Sequence, residues 1–192
     1  MSEDTPTKEP SSERREILIV EDEVELADMY AAYLEDEFAV TVAYSGEEAI
    51  ETVDDEFDIV LLDRRMPVVS GTEVLAHIEE QKLDCRVAMV TAVNPDFDII
   101  DLRIDDYLIK PVSYSDIRET VERLNKLEAY NSRMQKLTSK KLKRNVLELE
   151  KTRAELSESD EFEELTTEIE TLETEVEAIS DDLDTEQLQN QR

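Results

Sequence analysis

Two glycines, one cysteine, one histidine and no tryptophan among 192 residues leave this chain without several common routes to structure and chemistry. A lone Cys85 excludes an intrachain disulfide, and a lone His77 excludes any multi-histidine metal site. Both read as structural residues. Basic residues are also scarce, with 21 Lys and Arg against 51 Asp and Glu and a net charge of -30. Such a coat disfavours non-specific binding to nucleic acid and favours solubility. No apolar run approaches the roughly 18 residues that span a bilayer. The segment Met1 to Arg15 is polar and acidic with two prolines, unlike a signal peptide or anchor, and is expected to be a disordered tail. A cytoplasmic protein is expected.

What the chain does have is a set of short apolar segments alternating with helical patterns. Strands are expected near Ile17 to Val20, Ala39 to Ala43, Asp58 to Leu62, Arg86 to Thr91 and Asp106 to Ile109. Helices are expected near Val24 to Asp36, Gly46 to Asp54, Thr72 to Gln81 and, shorter, Asp96 to Leu102. This alternation implies parallel strands covered on both faces, a three-layer doubly wound α/β domain. In that architecture ligands bind beyond the carboxyl ends of the strands. Four of the apolar runs end on chemically useful residues: Glu21-Asp22, Asp63, Thr91 and Lys110.

Clustered carboxylates repel, so either one stays protonated or a cation neutralises the set. Oxygen-only ligands favour Mg²⁺ over zinc or copper. A carboxylate can attack phosphorus to give an acyl phosphate, and Mg²⁺ with a lysine would offset the charge on the transferring group. A threonine hydroxyl could hydrogen-bond a phosphoryl oxygen.

The constellation resembles the receiver domain of two-component response regulators over residues 16 to 125. Ile17-Leu18-Ile19-Val20-Glu21-Asp22-Glu23 resembles the family's first strand with its acidic pair, and Asp58-Ile59-Val60-Leu61-Leu62-Asp63 its phosphorylation strand. Met66-Pro67 and Gly71 follow at the family's distances, Thr91-Ala92 resembles the switch hydroxyl with its small neighbour, and Lys110-Pro111 resembles a pair commonly joined by a cis bond. The resemblance implies a flavodoxin-like five-stranded parallel sheet of order 2-1-3-4-5. It also implies a partner histidine kinase that donates phosphoryl to Asp63. Mg²⁺ would be held by Asp22, Asp63 and the backbone carbonyl of Arg65, with Glu21 supporting it directly or through water. Lys110 would pair with the phosphoryl group, Thr91 would move toward it, and Tyr107 stands at the rotameric switch position. Arg65 and Val93 occupy positions that tune phosphoryl lifetime in this family. Apolar Val93 cannot orient an attacking water, so slow autodephosphorylation is expected. Val68 departs from the family by replacing a common glycine. An aspartyl-phosphate phosphatase is disfavoured, because that class needs a second carboxylate two residues after the nucleophile and Arg65 stands there. The chain is therefore expected to be a phospho-acceptor and not an enzyme.

Beyond Pro111 a helix starts at a capping box of Ser113 and Asp116 and meets no Gly or Pro from Ser115 to Leu156. A break is expected at Ser157 to Asp160. Phe162, Leu165, Ile169, Leu172, Val176, Ile179 and Leu183 then follow at alternating spacings of three and four, a heptad seam. The preceding helix carries Leu127, Tyr130, Met134 and Leu137, then steps out of phase to Leu142, Val146, Leu149 and Leu156. Ala129 to Leu147 holds no acid and Ala154 to Gln191 no base. This separation points to an antiparallel intramolecular hairpin, with an intermolecular coiled coil or homodimer as the alternative. The segment 126–192 resembles the HalX-type output region of halophilic archaea through Tyr130, Lys140-Lys141 and the acidic tail, and the overall acidity resembles the surfaces of halophile proteins. The expected output is contact with a protein partner; the alternative is a transcription regulator that binds DNA through the basic segment 133–144.

Overall fold

The apolar runs form a five-stranded, wholly parallel sheet, seen here in a computed structural model that describes residues 14–95 and 97–189. The strands are β1 (Glu16–Val20), β2 (Ala39–Ala43), β3 (Ile59–Leu62), β4 (Arg86–Thr91) and β5 (Asp106–Ile109), in the order β2-β1-β3-β4-β5. Between them lie α1 (Val24–Leu34), α2 (Gly46–Thr52), α3 (Gly71–Gln81) and a 3-10 turn (Phe97–Asp101). Ile17 to Val20 and Ile59 to Leu62 are each no more than 2% exposed, the double-sided burial that continuous apolar strands require. Leu18, Val20, Val60 and Leu62 share a core with Val74, Leu75 and Ile78 of α3.

Register decides where the polar residues emerge. Val20 pairs with Leu62 and the Asp63 amide donates to the Val20 carbonyl at 2.8 Å, so Glu21 and Asp63 leave the sheet side by side. Thr91 pairs with Ile109, and the Lys110 amide donates to the Thr91 carbonyl at 2.9 Å.

Several element ends differ from the sequence expectation. β3 runs from Ile59 and not from Asp58, although the Asp58 backbone still bonds both neighbours, its amide donating to the Glu16 carbonyl and its carbonyl accepting the Arg86 amide, each at 2.9 Å. α1 stops at Leu34 and α2 at Thr52, short of the Asp36 and Asp54 expected. The fourth expected helix is a 3-10 turn, and its expected start, Asp96, lies outside the described residues. The expected tail, Met1 to Arg15, also lies outside them up to residue 13.

The chain divides between Val121 and Glu122 into two compact units. The second contains most of α4 (Tyr114–Glu150), then α5 (Arg153–Ser157) and α6 (Asp160–Gln189). α4 ends at Glu150 instead of running to Leu156. Thr152 forms a capping box with Glu155, its side chain accepting the Glu155 amide while the Glu155 carboxylate takes the Thr152 amide, and so starts a new helix. The expected break at Ser157 to Asp160 is present, with Ser159 accepting the Phe162 amide at 3.2 Å.

α4 and α6 pack together as an antiparallel hairpin. Leu137, Ile169 and Val176 are buried among Tyr130, Met134, Leu165 and Leu172. Lys126 pairs with Asp182, Arg133 with Glu175 at 2.8 Å, Lys141 with Glu173 at 2.6 Å, and Lys140 with Glu168. From Lys126–Asp182 through Arg133–Glu175 to Lys140–Glu168 the numbers fall on α6 as they rise on α4, which fixes the antiparallel sense. No helix among the described residues is long and apolar enough to cross a membrane.

Candidate functional site

Three carboxylates meet beyond the ends of β1 and β3. Glu21, Asp22 and Asp63 each offer an oxygen within 4.8 Å of the others. Glu21 and Asp63 are buried, at 2% and 7% exposure, and Asp22 is half-buried. The Lys110 ammonium is clamped between two of them, 2.6 Å from Glu21 Oε2 and 2.7 Å from Asp63 Oδ2. The other Asp63 oxygen, Oδ1, accepts the Arg65 amide at 3.1 Å.

These contacts explain the protonation of the site. Burial pushes the Glu21 carboxyl upward, and the hydrogen bond and charge of Lys110 pull it down without cancelling the rise. Burial also pushes Lys110 downward, but its hydrogen bonds to Asp63 and Glu21 outweigh that effect and leave it raised. The lysine therefore stays charged throughout the neutral range.

A cleft of about 220 Å³ opens over the cluster, lined by Asp22, Asp63, Arg65, Thr91, Val93 and Lys110 among others. The donor set at its floor is carboxylate oxygen alone, which suits a hard divalent cation such as Mg²⁺. Thr91 is fully buried and its Oγ1 accepts the Val93 amide at 3.3 Å. The Tyr107 hydroxyl donates to the Val93 carbonyl at 2.8 Å. Val93 is thus held at its N–H by one expected switch residue and at its C=O by the other.

All the candidates named from sequence fall at this end of the sheet, with Tyr107 reached through Val93. The peptide bond between Lys110 and Pro111 is cis. Sequence reasoning missed the part played by the two glycines. A Cβ on Gly71 would lie 2.1 Å from the Asp63 carbonyl oxygen, and one on Gly46 would lie 2.2 Å from that of Val69. Both press on the loop that follows Asp63. The signal was present, since a chain with only two glycines keeps them where nothing else fits.

Outside the site, the basic segment 133–144 is largely neutralised. Arg133, Lys140 and Lys141 pair with α6, and Arg144 lies 3.7 Å from Glu148. Cys85 is half-buried, and burial pushes its thiol up to about 11, so it is inert.

A parallel sheet of this order, with an acidic cluster, a hydroxyl and a lysine at its carboxyl edge, defines a receiver-type α/β protein. The chain belongs to the response regulator family: residues 17–122 match the response regulator receiver domain and residues 126–191 the HalX domain. It is 56% identical over 109 residues to a protein of Haloferax volcanii, covering 56% of this chain and 19% of that one. Response regulator SaeR of Staphylococcus aureus is 39% identical over 115 residues, covering 58% of this chain and 49% of SaeR. The chain thus spans less than half the length of these relatives. The response regulator TrrA of Thermotoga maritima, solved in complex with Mg²⁺-BeF, superposes with a TM-score of 0.51 at 29% identity, over 57% of this chain and 98% of that one.

Proposed function

We propose that Asp63 accepts a phosphoryl group from a histidine kinase and that the HalX unit passes the resulting state to a protein partner. The observation that carries this reading is the Lys110 ammonium held between Asp63 and Glu21 beside a third carboxylate. An Asp63 oxygen attacks phosphorus, a P–O bond forms as the P–N bond of the donor breaks, and the imidazole leaves. Asp22, Asp63 and the Arg65 carbonyl would hold Mg²⁺, with Glu21 in support. The ion, when bound, would offset the charge of the transferring group.

The remaining steps belong to the chain. Lys110 exchanges a carboxylate oxygen of Asp63 for a phosphoryl oxygen at little cost, because its charge is already desolvated and in place. Thr91 Oγ1 turns toward the phosphoryl group and gives up the Val93 amide. That loosens the loop to which the Tyr107 hydroxyl is tied and biases Tyr107 toward its inward rotamer, a shift of populations in an existing fold. Val93, apolar and at the rim of the cleft, offers no group to orient water, so the acyl phosphate is long-lived.

The test is intact mass with a small-molecule phosphodonor and Mg²⁺. Wild type gains one phosphoryl group that decays over minutes or longer, and Asp63→Asn gains none. Equal modification of Asp63→Asn removes the assignment, and decay within seconds removes the role given to Val93. The intramolecular pairing of segment 133–144 weighs against a DNA-binding output through that segment.

A further inference from the structure

The apolar pattern of α4 changes step between Leu137 and Leu142, and the structure shows what the step does. Tyr130, Met134 and Leu137 pack toward α6. Five residues of α-helix advance the direction of a side chain by about 140° beyond a full turn. Leu142, Val146 and Leu149 therefore leave the side that faces α6 and stand 61%, 58% and 84% exposed. With Asn131, Gln135 and Thr138, also exposed, they make one uncharged face about 27 Å long, at 1.5 Å per residue. In a chain with 38% charged residues, a charge-free helical face of that length is a surface kept for contact.

Charge selects the occupant. Lys136, Lys143 and Glu150 recur every seven residues and so line one flank of this face. All three are exposed, and among the described residues none of them forms an ion pair. The flank reads plus, plus, minus. A second copy laid antiparallel reads minus, plus, plus, which sets Lys136 against Glu150 twice and brings Leu142 against Val146 twice. A parallel copy would set this flank against the partner's opposite flank, the side that packs toward α6, so neither Lys136–Glu150 pairing would form. Self-complementarity of this kind is what a twofold interface demands.

We infer that this face of α4 binds a second copy of the chain, packed antiparallel about a twofold axis near Lys143. The two Lys143 side chains are the one like-charged pair, and they lie at the rim, where salt screens them.

Sedimentation equilibrium of the full-length, unphosphorylated protein in about 1 M KCl tests this, the salt suppressing repulsion between two acidic chains. Wild type is expected at twice the chain mass. Leu142→Glu with Val146→Glu is expected to weaken association by about 100-fold or more while leaving the helical circular dichroism unchanged. In about 0.1 M KCl, where exposed charges are less screened, Lys136→Glu weakens the dimer relative to wild type, adding Glu150→Lys restores it, and Lys143→Gln tightens it. A wild type at the mass of one chain overturns the inference. So does a dimer that survives the Leu142 and Val146 changes, or a reversed pair that fails to restore association.

Discussion

The loop after Asp63 concentrates the backbone demands of the receiver unit. Val68, 81% exposed, adopts φ 66, a left-handed conformation that a β-branched residue enters at a cost of about 1–2 kcal/mol. Glycine there would relieve the cost but lose about 0.5–1 kcal/mol through the greater freedom of its unfolded chain. Relief exceeds loss, so Val68→Gly is expected to stabilise by about 0.5–1 kcal/mol in urea melts. Gly71→Ala should act in the opposite direction, costing on the order of 2–3 kcal/mol, because its Cβ would strike the Asp63 carbonyl. A melt in which the two variants move the same way contradicts this account. The site itself was legible at this scale, since Asp63, Glu21, Asp22, Thr91 and Lys110 each close an apolar run and parallel register gathers such ends. The conformation of Val68 was not legible, because nothing in a valine announces a positive φ; only the departure from a common glycine marked the position.

Among the elements, α5 is the instructive case. Absence of Gly and Pro read as one helix to Leu156, and a capping box at Thr152 overrode it. The sequence Thr152-Arg153-Ala154-Glu155 carries the signature, but inside a good helical stretch it competes with simple continuation. Hydrogen bonds from the Thr152 amide and hydroxyl hold the Glu155 carboxyl below the ordinary 4.5. A depressed carboxylate stabilises fully above its unfolded value and loses that contribution as the pH falls through its folded value. The cap's contribution to amide protection at the start of α5 should therefore be full above about pH 4.5 and decline as the pH falls further, through the lower folded value. Thr152→Ala should abolish the corner at neutral pH and let α4 run on toward Ser157, seen as helical carbon shifts at Lys151 and Thr152. Unchanged shifts would show that the corner is held by something other than its cap.

For the whole molecule, the net charge of -30 sets the response to salt. The ladder between α4 and α6 joins side chains 30–47% exposed at Arg133–Glu175, Lys140–Glu168 and Lys141–Glu173. Pairs that open to solvent contribute about 0–1 kcal/mol each, and salt removes little with them. Repulsion among the surplus carboxylates is spread over the entire surface and is screened as the Debye length falls from about 10 Å at 0.1 M to about 3 Å at 1 M. The second effect is the larger, so the urea midpoint should rise between those salt concentrations; a fall would mean the ladder dominates. The hairpin was legible because acids and bases are sorted onto separate helices. The change of step after Leu137 was also visible, yet its meaning depended on which side of α4 the second helix would take.

That sorting of charge also determines how the hairpin meets a protease. Trypsin cuts only after lysine or arginine, and from Ala154 to Gln191 there is neither. The exposed Lys151 and Arg153 sit at the corner, where α4 has ended and α5 has barely begun. A first cut there severs the connection between the two long helices but leaves α6 whole, with its apolar seam and its partners on α4 intact. The nicked protein then holds together without a covalent link, and the acidic helix becomes a separable strip whose removal can be titrated.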